Sequence, residues 1–557
     1  MKKIIIPAII ALASLTSCVG MLDKLPLNSY DVTSETAYDD AASYLRGLAY
    51  INSYYGFVSI SDPGASDISV SDAGQSEFIR QWLVLNDLST NALDIGWPND
   101  SYIKEITNHS WTNADNNAII AVYTRGMKAI TLANEYLLQT TDEKLAARGH
   151  EDMKNDVHRY RAEARFHRAM FYYAMLDIFG NPPFALEENI GGNNLPKQIG
   201  RAALAEWIEG ELKALAADGS DLAAKGAVPY PRPNKDAAKA LLARLYLNWG
   251  VYTGTPRWAD AKQAAADVIG NGYTLHPNYR ELFMQDNGTT CSADEFIFAF
   301  DYENTNARSW GGTTTLSSGA FNDGMNTFLA PYLGAQMDDP DNEGATKPAA
   351  YVSAETWNGY HIDPAFVTAN FEMTGVAFTG TDCALGYNAA ASDKRIMLCN
   401  MGAAAAAFDP DKSDTGWKCW KWLWMDSNNH VNTRGSSDVN DWKYSSADFA
   451  FFRLPEMYYI YAEADANLNG GTTTDATALG YIKQIRDRAG LATPASMTVA
   501  DILKDKAVEY LWEGQRRQDE IRMGTFDADP NRNVYPILES DRSANPLLEQ
   551  NPGYSGN

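Results

Sequence analysis

Across residues 151–179 the apolar side chains recur every three or four positions, and the run stops at G-N-P-P, Gly180 to Pro183. Phe166, Met170, Tyr173 and Leu176 mark successive turns, which predicts one long amphipathic helix. Gly180 and the prolines behind it end that helix. So long an apolar stripe needs partner helices to cover it, and the same spacing supplies them. Helices are predicted over 35–57 and 114–138, then over 202–217, 235–249 and 258–270. Three more follow near the C-terminus, over 451–467, 476–488 and 499–514. Ala240, Ala243, Ala261 and Ala265 place small side chains where packed helices approach closely.

Trp258 opens a helix, with alanines three to seven residues on, and this arrangement resembles a tetratricopeptide unit in degenerate form. The texture changes between about 300 and 445, where Gly, Thr, Asn, Ser and Asp dominate and the helical period is lost. This middle part is expected to be irregular and loop-rich with short strands. Its most regular piece is W-K-C-W-K-W-L-W, Trp417 to Trp424. As a strand it would set Trp420, Trp422 and Trp424 on one face, either as a sugar-stacking ladder or, the preferred reading, packed on the helices.

The chain opens with Lys2 and Lys3, an apolar run from Ile4 to Leu15, and L-T-S-C ending at Cys18. The run is short for a membrane span and suits a signal peptide. Small residues before a cysteine form a lipoprotein cleavage site, so Cys18 is the expected lipidation position, since several acyl chains give stable anchoring. The expected organisation is 1–17 signal peptide, 18–34 lipid-anchored tether, 35–300 helical region, 301–445 irregular subdomain, 446–525 C-terminal helices and 526–557 tail. A formal charge of −25, deepened by loss of Lys2 and Lys3, argues against nucleic acid and anionic membrane as partners. It suits a neutral or polar ligand. Cys291, Cys383, Cys399 and Cys419 include no C-x-x-C pair, which argues against a zinc ribbon or redox motif. One or two disulfides are allowed in an exported chain. Cys383 with Cys399 would close a modest loop, but the sequence leaves the pairing open.

There is no nucleophile elbow, P-loop, dinucleotide fingerprint or H-E-x-x-H. The seven histidines do not cluster at metal-ligand spacing, although His158 and His167 share a predicted helix. A glycosidase would use two carboxylates, but 71 acidic residues make any pair equally available. Glu509, Glu513, Asp519 and Glu520 read as helix-surface or pairing charges beside Arg516, Arg517 and Arg522. No enzyme activity and no cofactor are expected; a structural metal such as calcium is left open, without named ligands. One loop stands out: D-I-G-W-P-N-D, residues 94–100, puts a large indole among turn formers.

Several stretches together resemble the SusD/RagB family of Bacteroidetes outer-membrane lipoproteins. They are the lipobox with L-D-K-L-P, R-A-E-A-R-F-H-R-A-M-F-Y-Y-A-M-L-D-I-F-G-N-P-P-F (161–184), F-R-L-P-E-M-Y-Y-I-Y-A-E-A (452–464) with I-R-D-R-A-G-L (485–491), and E-Y-L-W-E-G-Q-R-R-Q-D-E-I-R-M-G (509–524). The resemblance implies a mainly α fold of about four tetratricopeptide-like helix pairs, with a loop-rich α/β insertion that presents the ligand site. It also implies a SusC-like TonB-dependent transporter as partner, and glycan capture without catalysis. Other members of the fold bind different glycans or, in the RagB branch, peptides.

The likeness extends to the starch-binding founder of the family over residues 77–100 and over R-S-W-G-G-T-T, residues 308–314. Carried over by position, Arg80 and Trp97 match site residues. Asp100, with Asn99 beside it, falls at a site asparagine, and Trp310 at a site tyrosine. A further aromatic has only Phe321 as a weak counterpart. An aromatic ring offers a flat, weakly negative surface to the apolar face of a pyranose, while polar side chains bond its hydroxyls. Trp97 and Trp310 would form an arc suited to a curved glucan, weak at one site and strengthened by repetition along a polymer.

Overall fold

The computed structural model describes residues 37–555 apart from 60–62, 71, 113–115, 192–193, 340, 343, 373–382, 385–392, 400–407 and 432–442. Cys18 and the rest of the predicted leader therefore lie outside the described residues.

Nine helices carry the frame: α1 (Ala41–Ser53), α2 (Asn117–Gln139), α3 (Lys154–Phe179), α4 (Arg201–Ala216), α5 (Lys235–Leu247), α6 (Trp258–Ile269), α7 (Leu454–Leu468), α8 (Ala476–Ala489) and α9 (Val499–Glu509). Their ends follow from local chemistry. The Asn116 side chain accepts from the backbone of Ala118 and Ile119, Asn234 does the same for Asp236 and Ala237, and Thr498 with Asp501 forms a capping box. Gly180 closes α3 at φ +71°, a conformation in which a side chain is disfavoured.

From α2 to α8 each helix packs on the next. Ala237, Ala240, Ala243, Ala261 and Ala265 are buried at the contact surfaces, where small side chains let the axes come close. The fold is thus mainly α. The pairing of α6 with α7 is the informative one, because residues 270–453 separate them in sequence.

Two antiparallel strands close that gap. Phe296–Phe300 pairs with Phe449–Arg453, with Phe449 opposite Phe300, so the irregular segment leaves and re-enters the frame at adjacent strands. The segment predicted to be helical from residue 451 is strand up to Arg453, and α7 starts at Leu454. The strand partner is remote in sequence, which local periodicity cannot reveal. Phe298 and Phe451 stack at 5.6 Å, and Tyr55 stacks on Phe171 of α3 at 4.4 Å. This aromatic seam ties the neck of the insertion to the helices.

Within residues 417–424 only Lys418–Cys419 is strand, so the expected alternation does not form. Trp420, Trp422 and Trp424 are all buried, and Trp422 lies parallel to Phe449 at 6.1 Å. They are core residues and not a sugar ladder. Cys399 is disulfide-bonded and stands opposite Cys383 in antiparallel register, whereas Cys291 and Cys419 are buried free thiols. The last thirty residues fold back on the frame: the Tyr535 amide donates to Ile178, and the Trp111 indole to the Tyr554 hydroxyl at 2.7 Å. No helix among the described residues is long and apolar enough to cross a membrane.

Candidate functional site

The loop around Trp97 is built by close backbone approach. Asp94–Ile95 pairs with Tyr360–His361, and the Gly96 amide extends the pairing by donating to Gly359 O at 2.9 Å. A Cβ on Gly359 would lie 2.2 Å from the Trp97 ring, so only glycine lets the indole lie on that strand. The Trp97 Nε1 donates to Trp357 O at 3.3 Å, and the ring leans on Tyr360 at 5.7 Å. Trp97 is thereby fixed along one side while staying half-buried.

Trp97 lines an open cleft of about 1000 Å³ together with Trp310 and Trp357. The Trp310 and Trp357 centroids are 6.2 Å apart with planes inclined at 41°, and Trp310 also packs on Tyr444 at 4.7 Å. Between the aromatic walls the lining is polar: Asp72, Gln75, Arg80 and Asp100. Arg80 sits on the short helix Phe78–Leu83, capped by the Glu77 carboxylate. Its guanidinium lies 6.0 Å from the Trp97 ring centroid and 3.7 Å from the Asp72 carboxylate. Gln75 donates to Asp100 Oδ2 at 3.4 Å and accepts from Asn117 at 2.9 Å. Burial raises the Asp100 carboxyl, Arg80 opposes that, and Asp72 adds to it.

Four of the six glycan-contact residues expected from sequence, Arg80, Trp97, Asp100 and Trp310, thus meet in one cleft. Asn99 is exposed on the turn and does not line it. Phe321 is fully buried in the core and presents no face to a ligand, which corrects its candidacy. Trp357 takes the third aromatic wall, and sequence reading missed it. The available signal was its setting: T-W-N-G, residues 356–359, repeats the pattern of an indole among turn formers seen at Trp97. Among the described residues no group of three or more His, Cys, Asp or Glu is placed to hold a metal ion.

Behind the cleft lies a buried carboxyl. Glu77 accepts from the Tyr302 hydroxyl at 2.5 Å and from the Arg80 amide at 3.3 Å, and a Cβ on Gly311 would collide with it. Burial pushes it up to about 7. A carboxyl raised in the folded state binds its proton more tightly there than in the unfolded chain, so its stabilising contribution is lost as pH climbs from about 4.5 to 7. Glu77→Gln, which mimics the protonated acid, is therefore expected to raise the melting temperature more at pH 8 than at pH 5. Equal shifts at both values would contradict this.

A family model described as the SusD family matches residues 251–533, and a second, described as "Starch-binding associating with outer membrane", matches residues 70–247. The chain is 29% identical, over 594 aligned residues covering 99% of both sequences, to the starch-binding protein SusD of Bacteroides thetaiotaomicron. Among solved structures, a laminarin-binding SusD-like protein superposes with a TM-score of 0.63 at 18% identity, covering 93% of this chain and 100% of the other. Surface glycan-binding protein A from Bacteroides thetaiotaomicron, in complex with laminarihexaose, gives 0.61 at 15% identity, covering 92% and 99%. At those identities the structural likeness establishes the fold.

Proposed function

The chain belongs to the SusD family, and on that premise we propose that it is a non-catalytic, outer-membrane glycan-binding lipoprotein that captures starch-like α-glucan and delivers it to a SusC-like TonB-dependent transporter. Cys18 carries the lipid in this reading. The observation that carries the ligand class is the cleft itself. Three half-buried tryptophans, Trp97, Trp310 and Trp357, surround it, with Arg80, Gln75 and Asp100 between them. Inclined rings stack on successive apolar sugar faces along a curved chain. The amide, guanidinium and carboxyl groups supply donors and acceptors to the hydroxyl rim. The choice of α-glucan is supported by the starch-binding relative named above and by the description of the family model over residues 70–247.

A binding screen tests this directly. The mature chain is expected to be retarded in native gels containing amylopectin or pullulan, and not in gels containing laminarin, levan or mannan. Retardation by laminarin alone would keep the glycan reading and overturn the α-glucan. No retardation by any polysaccharide, with peptides recovered from the purified chain by mass spectrometry, would overturn the glycan reading. Release of reducing ends from any of them would overturn the non-catalytic one.

A further inference from the structure

A second cleft, of about 640 Å³, opens on the other side of the same loop. Asp94 lines it, three residues before Trp97, and Asp363 lines it from the segment that follows Trp357. The charged groups around it are satisfied with one exception. Arg516 pairs with Glu520 at 2.7 Å, His109 bridges Asp527 at 2.5 Å and Ser89 O at 2.7 Å, and Asp363 caps the helix Pro364–Asn370 through the Ala365 amide. Asp94 is the exception. It is 4% exposed, and its carboxyl has no hydrogen-bond or ion-pair partner among the described residues. Buried polar groups are nearly always paired, and leaving one unmade is costly. Its carboxyl is not closed off from the cleft, so whatever satisfies it, solvent or a ligand, reaches it through that cleft.

We propose that this cleft is a second ligand site, for a small sugar held through a pair of vicinal hydroxyls by Asp94. Asn91 and Thr107 add an amide and a hydroxyl to the lining, and Phe408 and Phe526 add apolar faces, the mixture that a pyranose edge and face require. Burial, with Asp363 and Asp411 beside it, also pushes the Asp94 carboxyl up to about 8. That shift favours the protonated form, which both donates and accepts, as a hydroxyl partner requires. The proposal does not rest on the tryptophan cleft and stands if that reading fails.

Saturation-transfer NMR with glucose and, separately, glucosamine tests it on the mature chain carrying Trp97→Ala, which disables the first cleft. Glucose signal is expected to persist in Trp97→Ala. It is expected to fall by at least about tenfold, the scale of two lost hydrogen bonds, when Asp94→Leu is added. Crystals of the wild-type chain soaked in glucose give a readout that needs no variant, with density against the Asp94 carboxyl. Loss of all signal in Trp97→Ala alone, unchanged signal in the double variant, or soaked crystals without density at Asp94 would each overturn the proposal. So would binding of glucosamine alone that disappears at high salt, which would mark a cation site instead.

Discussion

Trp97→Ala is expected to abolish detectable binding of the mature chain to immobilised amylopectin while the protein stays folded. The ring is one of three aromatic walls of the cleft, and a base stacked on an aromatic platform, the nearest measured analogue, is worth roughly 1–3 kcal/mol per contact. Loss of one platform in a shallow site that is weak to begin with takes the affinity below the range that gel retardation reads. The cost to stability is smaller than burial of a tryptophan suggests, because the indole is half-buried and packs mainly on Tyr360 and the Gly359 backbone. About 1–2 kcal/mol is expected, the ordinary range for a point substitution. Trp97→Phe separates the two roles. It keeps a ring against Tyr360 but loses the hydrogen bond to Trp357 O, so binding should weaken without disappearing. Retention of full amylopectin binding by Trp97→Ala would remove Trp97 from the site. Unfolding of the variant would make it a packing residue.

The helices were legible because their signals are local. The three-four spacing marks the buried faces and Gly180 announces an end, while the Asn116, Asn234 and Thr498 caps set starts that the spacing alone did not fix. The cleft was half legible. Arg80, Trp97 and Asp100 lie within one short stretch, so matching that stretch delivers them together. Trp357 enters from a segment remote in sequence, and its place depends on Gly359 lying under the Trp97 ring. No periodicity encodes that contact. Phe321 fails for the complementary reason, since an aromatic near the right place in sequence is more often core than site.

The C-terminal charges show another limit. The charges of residues 509–524 read as helix-surface or pairing charges; the pairing half holds, but Glu509, Arg517, Asp519 and Glu520 are buried and not on the surface. Arg517 pairs with Asp177 of α3, Lys506 of α9 with Asp519, and Arg522 with Glu463 of α7, while Glu520 pairs within the segment with Arg516. Polarity in a sequence reports exposure only when the opposite charge is not waiting in the core.

Arg453→Met is expected to destabilise the chain by about 3–5 kcal/mol, the range for removing one member of a buried ion pair. Arg453 is fully buried at the neck where the insertion re-enters the frame. Its guanidinium donates to Glu513 at 2.8 Å, to Glu509 Oε1 at 2.6 Å and to Glu295 at 3.1 Å, and lies 3.9 Å from the Tyr510 ring centroid. Lys421 and Arg395 bring the insertion into the same network through Glu513 and Glu509. Methionine fills much of the volume, so the loss is electrostatic and not a cavity. The signature that separates this from simple packing damage is its pH dependence. Burial alone would push the Glu509 carboxyl up, but Arg488, Arg453 and Arg395 together hold it at about 2. A carboxyl depressed in the folded state contributes stability that is present above about 4.5 and is lost only as pH falls toward 2. With Arg453 gone, that carboxyl moves upward, and part of its burial penalty is relieved by protonation in mild acid. The denaturation midpoints of Arg453→Met and the wild-type chain should therefore lie far apart at pH 7 and draw together by pH 5. A loss under about 1 kcal/mol, the scale of an exposed pair, or a gap that stays constant with pH, would show that the neck is held by its aromatic seam and not by its charges.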